Sequence, residues 1–117
     1  MTEPKCCPLE TLLKQISGQW TLYILWVLDT NGALRFGELR RRVDGISTKV
    51  LTERLRLLES IQLVHRQHQP TIPPQVTYTL TERGKELSGT LDHLYALAVR
   101  WENDRAKGVA DTKMASL

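Results

Sequence analysis

The chain is poor in the features that tie proteins to oxidising compartments, membranes or metals. Its 117 residues include only two cysteines, adjacent at Cys6 and Cys7. Neighbouring thiols cannot staple distant segments, so a disulfide scaffold is excluded. Three histidines are present, His65, His68 and the distant His93, with no carboxylate pattern around them, and no metal site is expected. No apolar run approaches the roughly 20 residues of a membrane span, and the N-terminus lacks the apolar core of a signal peptide. A cytoplasmic location is the expectation. Nucleophilic catalysis is not expected either, because Cys7 has no histidine near it in sequence to serve as base. The reading is of a protein that is not an enzyme and needs no cofactor.

What is present is a globular composition, 41% hydrophobic and 25% charged, in a chain of one domain's length. The net charge of +3 is too mild for a tail that coats nucleic acid. Its distribution is more telling. Arg35, Arg40, Arg41, Arg42, Lys49, Arg54, Arg56 and Arg66 fall in one central segment against only Glu38, Asp44, Glu53 and Glu59. This predicts a basic face.

Hydrophobic spacing divides the chain into elements. Leu9, Leu12, Leu13 and Ile16 recur at helical intervals behind Pro8, a favoured first-turn residue. After Ser17-Gly18, residues 19–30 leave almost no polar face and predict the buried central helix. Phe36, Leu39 and Val43 mark a short third helix with Arg40, Arg41 and Arg42 outside, and Asp44-Gly45 turns it into a fourth. Two short helices joined by a tight glycine turn are the sequence form of a helix-turn-helix.

The fourth helix is the most informative segment. At about 100° per residue, Val50, Leu51, Leu55, Leu57, Leu58 and Ile61 share one arc, while Thr48, Lys49, Thr52 and Arg56 lie opposite. Ser47 is placed to cap it, with Ile46 positioned to pack on Leu51. The polar side carries groups that reach base edges and phosphates in a major groove. By itself the same pattern also fits an ordinary surface helix, and its neighbours favour DNA.

Beyond Ile61 the period changes to two. Residues 63–68 and 76–80 read as strands, with Val76, Tyr78 and Leu80 facing in and Thr77 and Thr79 out. The proline-rich Q-P-T-I-P-P-Q between them predicts a projecting loop. The fold class is therefore α+β, mostly α: a winged helix-turn-helix with N- and C-terminal dimerisation helices, spanning 8–101. Thr81 is placed to cap the last helix, where Leu87, Leu91, Leu94, Ala98 and Trp101 repeat at spacings of four and three. With Leu9 and Leu13 of the first helix, this stripe is the predicted homodimer surface, part of it serving the chain's own core. Residues 102–117 lose the periodicity and are expected to form a disordered polar tail.

Several strings, in order, carry a resemblance over roughly residues 7–101. They are Cys7-Pro8, Gly18-Gln19-Trp20 leading into Ile24-Leu25, Arg35-Phe36-Gly37-Glu38-Leu39, Ile46 to Leu51, Leu55 to Leu58, and Pro73 to Gly84. Together they resemble the HxlR-type bacterial transcription regulators, relatives of the MarR group. The resemblance implies a homodimeric winged-helix protein that represses or activates nearby genes. Two positions depart from the family pattern: Gln19 stands where lysine is usual, and Thr77 where an acidic residue is common. The first puts a backbone contact in doubt and the second implies an altered wing contact.

The candidate DNA-binding set is Ser47, Thr48, Lys49, Thr52 and Arg56 on the fourth helix, with Arg35 and Arg66. Arg54 falls within the apolar arc and is assigned to the structural side, extended along the core toward a carboxylate. Arg66 at the wing base reads as a phosphate or minor-groove contact or as a solvated strand arginine. One of Arg40, Arg41 and Arg42 is expected at the DNA backbone.

If Pro8 opens the first helix, Cys7 takes the N-cap, where the helix dipole favours a thiolate. Some members of the resembled family sense oxidants or electrophiles through a cysteine at this place. Cys7 is thus either a redox trigger, with Cys6 or a second subunit's Cys7 as its disulfide partner, or a packing residue. Trp20, Tyr23, Trp26, Tyr95 and Trp101 either line a pocket for a small-molecule effector or are simply core. The expected partners are double-stranded operator DNA and a second copy, with a small molecule or oxidant as effector. The rival reading is a winged helix that docks a protein partner and never meets DNA.

Overall fold

The computed structural model describes residues 7–115, with side chains described to Lys107; Cys6 lies outside the described residues. Five helices and a small antiparallel sheet follow in the order α1 (Pro8–Ile16), α2 (Thr21–Asn31), β1 (Leu34–Arg35), α3 (Phe36–Arg42), α4 (Thr48–Ser60), β2 (Val64–Gln69), β3 (Gln75–Leu80) and α5 (Glu82–Ala115). This is a mostly helical winged helix-turn-helix.

The centre of the molecule is α2. Ile24, Leu25, Val27 and Leu28 are all buried, and they meet Leu39 and Val43 of the α3 region, Leu51, Leu55 and Leu58 of α4, Leu63-Val64 and Leu91 of α5 in one cluster. A helix apolar on nearly all sides is stable in water only when other elements surround it, and here α3, β3 and α5 pack around α2.

Turn chemistry fixes the joints. The helix-turn-helix corner is Gly45 at φ +92°, and the Trp20 indole sits over the space a side chain at Gly45 would take. Trp20 itself is left-handed, at φ +76°, where α1 turns into α2. At the end of α4, Gln62 is left-handed, and the Gln62 and Leu63 amides donate to Glu59 O and Leu58 O, closing the helix in a Schellman arrangement.

The start of α5 is locked onto that closure. Thr81 Oγ1 donates to Gln62 O at 2.6 Å and accepts from the Gly84 amide at 3.0 Å, so Thr81 caps α5 as expected. A Cβ on Gly84 would lie 2.1 Å from Leu63 O, so only glycine permits this approach of helix to backbone.

The strands are Val64–Gln69 and Gln75–Leu80, each within a residue of expectation, and they pair in full register from Val64 opposite Leu80 to Gln69 opposite Gln75. The structure adds a third strand. β1, only Leu34–Arg35, pairs with β3 through Leu34 opposite Tyr78 and Arg35 opposite Thr77, giving the order β1-β3-β2. Two residues are too short for alternation to reveal. Because β3 is thereby central, each of its residues is half-buried, and the expected in-and-out alternation is not seen. Thr77, expected to face out, has its hydroxyl buried with no hydrogen-bond partner among the described residues.

A second correction concerns the C-terminal segment. α5 continues without a break through Trp101 to Ala115, so the expectation of a disordered tail from residue 102 is not met within the described residues. Glu102 and Arg105 form an ion pair one turn apart, which local apolar periodicity does not register.

Candidate nucleic-acid interface

The α4 helix has two sides with different fates. Leu51, Leu55 and Leu58 are buried in the core, and Ile46 just ahead of the cap belongs to the same cluster. Ser47 Oγ accepts the Val50 amide at 3.1 Å, the N-cap that sequence predicts. Ser47, Thr48, Lys49 and Arg56 are exposed and Thr52 is half-exposed, so one continuous polar stripe remains in solvent. Burial of the leucines orients the helix, and that orientation is what presents the stripe.

Arg54 does not belong to the stripe. Its Nε donates to the carbonyl oxygen of Gln19 at 2.8 Å, and its guanidinium also lies against Gly18. The structural role expected for it holds, but its partner is a backbone carbonyl instead of a carboxylate. The α1–α2 turn, with its left-handed Trp20, presents the Gln19 carbonyl to Arg54, which sequence spacing does not show. Gln19, one of the two departures from the family pattern, contributes through its main chain.

Arg66 of β2 and Arg56 of α4 both line a cleft of about 380 Å³, whose other lining residues are Phe36, Thr52, Leu55, Glu59 and Tyr78. Sequence reading names both arginines separately and misses their shared cleft and Glu59. Arg35 lies apart from it. Its amide donates to Glu38 Oε1 at 2.8 Å, closing the start of α3, and its guanidinium stands 3.9 Å from the same oxygen. That amide bond, followed by the charges of Arg35, Arg41 and Arg42, holds the Glu38 carboxyl below its ordinary range. Arg40, Arg41 and Arg42 are exposed on the outer side of α3. Thr77, the other departure from the family pattern, sits in the sheet opposite Arg35 and Gln67, away from the wing loop.

The wing loop runs from Pro70 to Pro74. Thr71 Oγ1 donates to Pro73 O at 2.7 Å, and Ile72 at the tip is fully exposed.

The stripe on α5 divides. Leu91 is only 7% exposed and belongs to the chain's own core, with Leu87 half-buried beside it, which removes Leu91 from the surface offered to a partner. Leu94 and Trp101 are 51% and 60% exposed, and Ala98 is exposed between them. Leu9 and Leu13 of α1 are likewise exposed. Tyr23, Trp26 and Tyr95 form a stacked series, with ring centroids 5.9 and 5.2 Å apart, along an apolar groove shared with Leu22, Leu91 and Leu94. Trp20, by contrast, belongs at the helix-turn-helix corner, and Trp101 lies outside the groove.

Cys7 is exposed at the N-cap of α1, ahead of Pro8, and its carbonyl accepts the Thr11 amide at 3.1 Å. Among the described residues no three potential metal ligands converge, and no helix is long and apolar enough to cross a membrane.

A helix-turn-helix with an exposed polar stripe on its second helix and a β-hairpin beside it defines the winged-helix class of transcriptional regulators. The chain belongs to the HxlR-like helix-turn-helix family, whose model matches residues 15–106. It is 39% identical over 89 residues to a regulatory protein named MalR from Fusobacterium mortiferum, covering 76% of this chain and 84% of the relative. Among solved structures it is similar to a MarR-family transcriptional regulator from Enterococcus faecalis, at 38% identity and a TM-score of 0.75, with 92% of this chain and 96% of that one covered. It is also similar to the redox regulator HypR in its oxidised form, at 35% identity and a TM-score of 0.71, covering 80% and 96%. The chain is accordingly a helix-turn-helix transcriptional regulator, not an enzyme.

Proposed function

We propose that the protein is a cytoplasmic, sequence-specific regulator that binds double-stranded operator DNA as a homodimer. The observation that carries this reading is the stripe Ser47, Thr48, Lys49, Thr52 and Arg56, left in solvent on a helix whose opposite side is locked into the core. Hydroxyls and cations so presented match the acceptors of base edges and phosphates in a major groove. Arg35 on β1 and Arg66 on β2 are assigned to backbone contacts. Dimerisation through α1 and α5 is supported by the exposed Leu9, Leu13, Leu94, Ala98 and Trp101, since solvent is an unfavourable neighbour for so much apolar surface. The dimer would set two α4 helices against two half-sites. The regulatory unit is 8–101, with the rest of α5 as an extension.

Control by oxidants through Cys7 is the second part of the reading. Its thiol is exposed at the N-cap of α1, open to an oxidant, and a similar chain is the redox regulator HypR. Cys6 or the Cys7 of a second subunit would complete a disulfide. Selection of bound duplexes from a random pool, followed by titration with and without diamide for the native chain and Cys7→Ser, tests both parts. Enrichment of two half-sites about one helical turn apart and a diamide response lost in Cys7→Ser are the expected results. Recovery of no enriched sequence would remove the operator reading, and equal diamide responses would remove the cysteine.

A further inference from the structure

The cleft between α4 and the sheet has a composition that the exposed stripe alone does not explain. Arg56 of α4 and Arg66 of β2 both line it, together with Thr52 and Tyr78. Leu55, which is buried, and Phe36 form apolar lining. Among the described residues, neither arginine is ion-paired within 4 Å, although Glu59 lines the same cleft. Two guanidinium groups that line one cleft without an ion-paired carboxylate leave positive charge there, which an oxyanion would offset.

The position of the cleft supplies the anion. A duplex that receives α4 in its major groove and the Pro70–Pro74 loop in the adjacent minor groove must carry one backbone strand across the space between them. The cleft lies between α4 and the β2–β3 hairpin that carries this loop. We propose that it seats a single backbone phosphate, clamped jointly by Arg56 and Arg66 with the Thr52 and Tyr78 hydroxyls at its edge, and opposed by the Glu59 carboxylate. The inference rests on the regulator reading and changes one part of it: Arg56 holds the backbone, leaving base reading to Thr48 and Lys49. Glu59 then lowers affinity for any duplex regardless of sequence and leaves the ratio of operator to bulk affinity unchanged.

The clamp makes a quantitative prediction, because counterion release counts phosphates and not arginines. Fluorescence anisotropy of the full chain on a mixed-sequence duplex is measured across a salt series for the native protein, Arg56→Ala, Arg66→Ala, the double variant, and Glu59→Gln alone and in the double variant. Each single arginine variant is expected to weaken binding about tenfold, and the double variant little more than either. The slope of log affinity against log salt should fall by about one in the double variant. Glu59→Gln should tighten binding severalfold, and should have no such effect when both arginines are absent. Multiplying losses with a slope change of about two would overturn the shared phosphate and leave DNA binding intact. Inorganic phosphate that binds the native chain tightly in calorimetry, and displaces duplex better than chloride at equal ionic strength, would assign the cleft to a free phosphate instead. A native chain with no salt-dependent duplex binding would overturn the clamp and the regulator reading together.

Discussion

Arg54 on α4 reaches 35 residues back along the chain to Gln19, its Nε donating to the Gln19 carbonyl at 2.8 Å. The bond ties the middle of the exposed helix to the turn that follows α1. That turn also carries Trp20, whose indole covers Gly45 at the helix-turn-helix corner. The turn at Trp20 thus makes two contacts with the helix-turn-helix, one to Arg54 and one at Gly45. Replacing Arg54 by methionine should cost about 1 kcal/mol in urea unfolding, the usual worth of such a bond at a half-exposed site. The salt slope of duplex binding should stay at its native value, since Arg54 contacts protein and not phosphate. A reduced slope would instead place Arg54 on the DNA.

Gly84 gives a sharper stability test. An added methyl would meet Leu63 O at 2.1 Å, a backbone atom held by the end of α4, so the start of α5 must shift to admit it. Gly84→Ala normally favours a helix through propensity, yet here a loss of about 1 to 3 kcal/mol is expected in thermal unfolding. A more stable variant would mean that the two backbones yield easily.

For Lys49 the expected loss is in operator affinity, about 1 to 3 kcal/mol on substitution by alanine if it meets a base edge. The loss should shrink at operators altered in the base pair it reads. An affinity unchanged in gel-shift titration would take Lys49 off the reading face.

The exposed portion of α5 predicts an oligomer-state change. Trp101→Ala should remove about 2 kcal/mol of association free energy, roughly thirtyfold in dissociation constant, as expected of a buried aromatic anchor. Sedimentation equilibrium reads this directly. Leu91→Ala should lower unfolding stability instead, because Leu91 is already in the core of its own chain.

Glu38 predicts the acid limb of stability. Its carboxyl is held below its ordinary value, first by the Arg35 amide and then by the charges of Arg35, Arg41 and Arg42. A carboxylate with a lowered folded-state value stabilises fully above its unfolded value, about pH 4.3, and that contribution fades as pH falls through the folded value. Urea midpoints between pH 3 and pH 6 should therefore differ most between the native chain and Glu38→Gln at the upper end and converge at the lower. A constant difference across the range would assign the effect to packing.

What the sequence alone determined was local. The helical spacing of Leu51, Leu55 and Leu58, the cap at Ser47, the cap at Thr81 and the prolines of the wing loop can be read because helix period, capping and turn chemistry act over three or four residues. Those signals were enough to place α4, divide its two sides and put Arg54 apart from the exposed stripe. Relations between distant segments were decided only by the tertiary structure. β1 exists because Leu34 and Arg35 find β3, and its two residues hold no period of their own. Arg54 meets the Gln19 carbonyl in the turn before α2, and Arg56, Arg66 and Glu59 line one cleft that no spacing announces. Along α5 the same apolar repeat runs from Leu87 to Trp101, yet Leu91 is buried and Trp101 is not. A repeat specifies a face, and the length of the neighbouring helix decides how much of that face is covered.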